Sequence, residues 1–90
     1  MRLAYDPVKN RENIAKRGLS FDRVAELDWA TARMVEDKRE NYGEPRVSVM
    51  GLLNGRLHVA IITRREDAIR VISFRKANER EVKRDEQDAD

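Results

Sequence analysis

Arg46–Lys76, RVSVMGLLNGRLHVAIITRREDAIRVISFRK, holds the pattern that decides how the rest of this 90-residue chain folds. Arg46–Leu53, Arg56–Arg64 and Ile69–Lys76 are runs rich in β-branched residues, the composition of half-buried strands. Asn54-Gly55 separates the first two runs. Both residues tolerate positive φ, so the pair marks a two-residue hairpin. Arg65-Glu66-Asp67-Ala68 makes a second reversal, and connections this short join only antiparallel neighbours. A three-stranded antiparallel meander is therefore expected. Alternation along the last strand separates Ile72 and Phe74, the expected core pair, from Ser73 and Arg75 on the opposite, more open face. The middle strand is apolar on both faces, which leaves open which of them is covered.

Outward from the meander, Ala77 to about Gln87 reads as a charged C-terminal helix with Val82 as its one obvious apolar anchor. Asp85, Glu86, Asp88 and Asp90 crowd the end, so residues 85–90 are expected to form a disordered acidic tail. On the other side, residues 2–5 suggest a short strand and Asp6-Pro7 starts a helix, aspartate as cap and proline in the first turn. Gly18 stops that helix, which is expected to rest on the core through Val8, Ile14 and Ala15. Ser20 caps a second helix whose Phe21 and Val24 face the core, and Trp29 closes it. Ala32–Val35 reads as a short strand, and Tyr42-Gly43 ends a charged loop. The sum is one α+β domain over residues 1–84: a small antiparallel sheet, two N-terminal helices and a C-terminal helix.

Composition narrows the classes of function. The chain has no cysteine, hence no disulfide or thiolate metal site, as suits a reducing cytoplasm. The N-terminus lacks the apolar run of a signal peptide, and the longest apolar stretch, Val59–Ile62, is far too short to span a bilayer. A soluble cytoplasmic protein without membrane contact is expected. Net charge is only +2, but residues 1–84 carry 19 basic against 13 acidic groups, a net of +6. Fourteen of the basic residues are arginine, whose planar guanidinium grips phosphate in two places and stacks on bases. The same composition also fits solvated helix faces.

Three blocks of residues resemble the BrnT family of type II toxins. They are Tyr5-Asp6-Pro7-x-Lys9-x-x-x-Asn13-x-x-Lys16-Arg17-Gly18-Leu19-Ser20-Phe21, then Tyr42-Gly43-Glu44-x-Arg46, then Arg70-Val71-Ile72-Ser73-Phe74-Arg75-Lys76-Ala77-x-x-x-Glu81. The resemblance implies a RelE-like ribonuclease fold, RNA as substrate and growth arrest. It also implies a ribbon-helix-helix antitoxin of the BrnA type, the pair repressing its own operon, so that DNA is contacted only through the complex. Arg17 and Phe74 depart from the family pattern, which commonly has histidine and alanine there, and the C-terminal helix lacks the family's aromatic residue.

RNA can be cut without a metal, because its own 2′-OH attacks the adjacent phosphate if the enzyme orients the backbone, takes the 2′ proton and stabilises the added charge. Arg75 leads the candidates, with Lys76 beside it and Arg64 at the end of the neighbouring strand as partners; Arg65 rivals Arg64. Lys16 and Arg17 are candidate RNA contacts, although cations ending a helix also complement its dipole. Tyr42 can stack on an unpaired base or serve packing. Glu79 and Glu81 are candidate acid/base groups or simple arginine partners. His58, the single histidine, reads as structural, away from this cluster along the sheet. With one histidine and no cysteine the chain has few ligands for a metal, and no cofactor is expected. A non-catalytic module that binds antitoxin or nucleic acid is the competing reading.

Overall fold

The computed structural model describes residues 1–88 and contains a five-stranded sheet in the order β1-β5-β4-β3-β2. Its centre is the expected meander: β3 (Val47–Leu53), β4 (Arg56–Arg65) and β5 (Ala68–Lys76), each antiparallel to the next. Asn54 and Gly55 have φ of 51° and 76°, the left-handed pair that matches a hairpin turn to the twist of its strands. β2 (Arg33–Glu36) lies antiparallel along the outer edge of β3.

The sheet is mixed rather than antiparallel, because β1 (Leu3–Ala4) runs parallel to β5 on the far edge. Helix α1 (Pro7–Arg17) follows β1 and supplies part of the long crossover that parallel pairing requires. A strand of two residues carries too little pattern to announce its partner. Asp6 caps α1 by accepting from the Val8 N–H, and Gly18 ends it at φ 64°. The second expected helix is a 3₁₀ helix, Phe21–Glu26, capped by Ser20.

The main core lies between α1 with the 3₁₀ helix on one side and the sheet on the other. Phe21, Val24, Leu27, Val49, Leu53, Ala60, Ile62, Val71 and Phe74 fill it. Burying Phe74 fully contributes roughly 1.5–3 kcal/mol. The expected docking of α1 through Val8, Ile14 and Ala15 does not occur; all three are exposed. The contact is polar instead. Asn13, 5% exposed, donates to the carbonyls of Leu19 (2.9 Å) and Phe74 (3.0 Å). Asn10 accepts from the Phe21 N–H at 2.8 Å. Two asparagines thus do what an apolar stripe does in most helices.

A bulge corrects the expected core pair of β5. Ile61 pairs with Ser73 but Ile62 with Val71, so Ile72 has no partner and the alternation shifts by one. Val71 and Phe74 are the buried pair, while Ile72 joins Ser73 and Arg75 around the opposite groove.

On that opposite face α2 (Glu79–Asp88) packs Val82 against the cluster of Leu57, Val59 and Ala77, on which Met50 also rests. Asn78 and Glu81 form a reciprocal cap: the Glu81 N–H donates to the Asn78 side chain at 2.8 Å and the Asn78 N–H to the Glu81 carboxylate at 2.9 Å. Asp85–Asp88, expected as disordered tail, continue this helix, and Asp85 and Asp88 pair with Arg33 of β2. Residues 89–90 of that tail lie outside the described residues.

Candidate active site

Arg75 sits one residue before the end of β5, opposite Val59 of β4. Its guanidinium meets the Glu81 carboxylate end-on, Nη1 at 2.7 Å and Nη2 at 2.9 Å, and Nη1 also donates to the Lys76 carbonyl. The hydrogen bonds from Arg75 hold the Glu81 carboxyl well below the usual range, at about 2; burial opposes this and the Asn78 N–H assists it. Glu81 in turn raises the Arg75 pKa. An acid this strong is a poor proton acceptor near neutrality. Among the described residues, Nε–H and one Nη2–H of Arg75 have no protein acceptor. They form the side edge of the guanidinium, a second fork suited to a phosphate.

Two grooves meet at Arg75. The first, about 640 Å³, lies at the end of the sheet between the C-terminus of α1 and the β3–β4 turn. Arg17, Arg23, Arg56, Arg75 and Lys76 line it and no carboxylate does. Arg17 is held by Asn13 Oδ1 at 2.6 Å, and Arg56 by the Ala77 carbonyl at 3.0 Å. Two of these cations have carboxylate partners outside the lining, Arg75 with Glu81 and Arg23 with Glu26 at 3.4 Å, and the groove surface itself is basic.

His58 forms part of the same wall, in cross-strand register with Lys76. The imidazole is 3% exposed and rests against Phe74, ring centroids 5.5 Å apart. Nδ1 lies 2.7 Å from the Arg56 carbonyl oxygen. A carbonyl only accepts, so Nδ1 carries the hydrogen and Nε2 is the basic nitrogen. Burial lowers the His58 pKa, the Arg56 carbonyl works against that, and the charges of Arg56, Lys76 and Arg23 lower it further. The ring is therefore neutral at pH 7.

The second groove, also about 640 Å³, is the open face of the sheet beneath α2. Arg46 stacks over the Tyr42 ring at 4.1 Å, and its buried Nε has no hydrogen-bond partner. Tyr42 donates to Asp37 at 3.2 Å, and Asp37 pairs with Arg39 at 2.8 Å. Hydrogen bonds from Arg39 hold Asp37 far below the carboxylate range.

Of the residues expected to act together, Arg17, Arg75 and Lys76 share the first groove, and Glu81 clamps Arg75. Arg64 is not with them. It pairs with Ile69, five residues along β4 from Val59, about 16 Å from Arg75 at the usual strand rise. β4 and β5 run in opposite directions, so their C-terminal ends lie at opposite edges. Arg65 stands at that far edge in a pair with Glu44 at 3.2 Å. Lys16 and Glu79 are exposed on α1 and α2, outside both grooves. Tyr42 borders neither, acting through Arg46. His58, Arg56 and Arg46 were missed. Counting register outward from the tight β4–β5 turn sets His58 opposite Arg75, or opposite Lys76 once the bulge is included, so that signal was present.

Among the described residues no three His, Cys, Asp or Glu side chains gather as a metal site requires, and no helix is long and apolar enough to cross a membrane. No curated protein sequence matches the chain. The model of one family, described as the ribonuclease toxin BrnT of type II toxin-antitoxin systems, matches residues 5–81, from the residue after β1 through Glu81 of α2. This match spans the whole first groove and most of the chain, which therefore belongs to the BrnT family of ribonuclease toxins.

Proposed function

We propose that this chain is a metal-independent endoribonuclease on a RelE-like scaffold, that it arrests growth in the cytoplasm, and that it cuts RNA in the groove lined by Arg17, Arg56, His58, Arg75 and Lys76. The convergence of five cations and one neutral imidazole in a groove without carboxylates carries this reading. The side edge of Arg75 holds the scissile phosphate while its other edge stays on Glu81. Arg17 and Arg56 share the charge that grows on the phosphoryl oxygens. His58 Nε2 takes the 2′ proton as the 2′-oxygen bonds to phosphorus. The bond from phosphorus to the 5′-oxygen then breaks, and the Lys76 ammonium protonates the leaving oxygen. The products are a 2′,3′-cyclic phosphate and a 5′-OH.

Type II membership implies a protein antitoxin. A BrnA-like ribbon-helix-helix partner covers the basic groove, and operator DNA is bound only through the complex. Incubating the purified chain with RNA in EDTA tests the catalytic reading. Fragments ending in cyclic phosphate are expected. A salt-dependent shift of RNA without cutting points to the non-catalytic module instead.

A further inference from the structure

Of the asparagines Asn10, Asn13, Asn41, Asn54 and Asn78, only Asn54 is followed by glycine. The other side chains are tied down. Oδ1 accepts from the Phe21 N–H at Asn10, from the Gly43 N–H at Asn41 and from the Glu81 N–H at Asn78, while Asn13 donates to two carbonyls. Among the described residues no hydrogen bond engages the Asn54 amide, and the residue is exposed at the tip of the β3–β4 hairpin. A Cβ added at Gly55 would meet nothing within 4 Å. The tip is therefore free of packing, and it can leave its turn conformation without disturbing the core.

The same tip borders the His58 groove. Asn54 lines it together with Arg17, Arg23, Arg56, Arg75 and Lys76, and no carboxylate belongs to the lining. Leu53 and Arg56, on either side of the turn, are a cross-strand pair, and Arg56 is fixed on the Ala77 carbonyl at 3.0 Å. A change of charge at Asn54 is therefore felt where the cations gather.

We infer that Asn54 is a site of spontaneous deamidation, and that the carboxylate it leaves in the groove weakens RNA binding. The Gly55 backbone nitrogen gives up its proton and bonds to Cγ of Asn54 as the turn opens. The Cγ–Nδ2 bond breaks, and ammonia departs carrying a proton. Glycine favours this closure because no Cβ shields its nitrogen or restricts its backbone. Water then opens the cyclic imide at either carbonyl, leaving aspartate or isoaspartate. Water enters, ammonia leaves, and nothing is oxidised or reduced. Aspartate is ionised near neutrality, and Asp-Gly suits the same turn. In that product the hairpin survives while the groove gains an anion. The effect on RNA rests on the ribonuclease reading; the chemistry at Asn54 stands apart from it.

Incubating the purified protein at mildly alkaline pH, then measuring intact mass and mapping peptides, follows conversion at each asparagine. Fluorescence anisotropy with an uncleavable 2′-O-methyl oligoribonucleotide reads binding before and after, with unmodified RNA cleaved in parallel. Conversion is expected at Asn54 alone, with affinity falling about tenfold at low salt and less at high salt. Asn54→Asp is expected to start at the weakened affinity. Asn54→Gly, which keeps the turn and removes the amide, is expected to hold the wild-type affinity throughout. Asn54 left intact when a Leu52–His58 peptide has fully reacted overturns the site, as does converted protein that binds RNA as before. An equal loss of affinity in incubated Asn54→Gly does the same. Normal cleavage without conversion removes the site alone; conversion that lowers affinity in a protein that never cuts removes the nuclease reading alone.

Discussion

Arg75 and Glu81 are joined by two parallel N–H···O bonds of 2.7 and 2.9 Å, and the carboxylate that makes them also closes the cap of α2. One side chain thereby fixes both Arg75, the proposed phosphate ligand, and the helix above it. The folded pKa of Glu81 is about 2, below its ordinary 4.5. The stability it contributes is complete above pH 4.5 and is lost as pH falls from there towards 2. Glu81→Gln keeps a capping side chain but loses the ion pair, which is expected to cost about 1 kcal/mol at pH 7 and to shrink the acid-induced loss. Urea unfolding at pH 7 and pH 3 reads both effects.

Asn13→Ala is expected to be far more damaging than its place in a polar helix suggests. The substitution strands the carbonyls of Leu19 and Phe74 and releases Arg17. Two orphaned acceptors cost about 2–4 kcal/mol, roughly 10–20 °C in melting temperature for a domain this small. A melting curve within a few degrees of wild type contradicts the polar docking of α1.

As the proposed base, His58 is expected to set the acid limb of activity. Because burial and the surrounding cations lower its pKa below 6.5, the base stays deprotonated to lower pH than an ordinary imidazole, and kcat is expected to fall only below pH 6.5. The unfolded chain takes up this proton first, so His58 also removes stability as pH drops below 6.5. His58→Gln is expected to lower kcat about 100-fold and flatten the acid limb, with KM little changed. An unaltered pH profile in a folded variant removes His58 from the chemistry.

The antiparallel meander was legible because Asn54-Gly55 and Glu66-Asp67 are short reversals between β-branched runs, and chain length leaves no other pairing. The core pair of β5 was not, since Val71, Ile72 and Phe74 are equally apolar and only the bulge decides which two face inward. Arg75 and Lys76 stood out as basic residues closing a strand. Arg64 looked equivalent until the opposite directions of β4 and β5 separated them. Asn13 gave no sign of burial, because an asparagine on a charged helix reads as solvated until its two carbonyl partners are seen. His58 reads as structural from its position within β4, whereas its register with Lys76 brings it to the groove wall.

Arg64→Ala and Arg65→Ala are expected to leave cleavage within about twofold of wild type and to weaken RNA binding only slightly, as remote cations do under salt screening. Arg17→Ala, inside the groove, is expected to raise KM about tenfold by removing one phosphate contact. Single-turnover rates over a range of RNA concentrations separate the two.

The rate of RNA cleavage in EDTA by Arg75→Ala, beside Arg64→Ala and wild type, each with its fold checked by circular dichroism, addresses the account most directly. A loss of about 100-fold or more is expected for Arg75→Ala and almost none for Arg64→Ala. A folded Arg75→Ala variant that cuts as fast as wild type contradicts it.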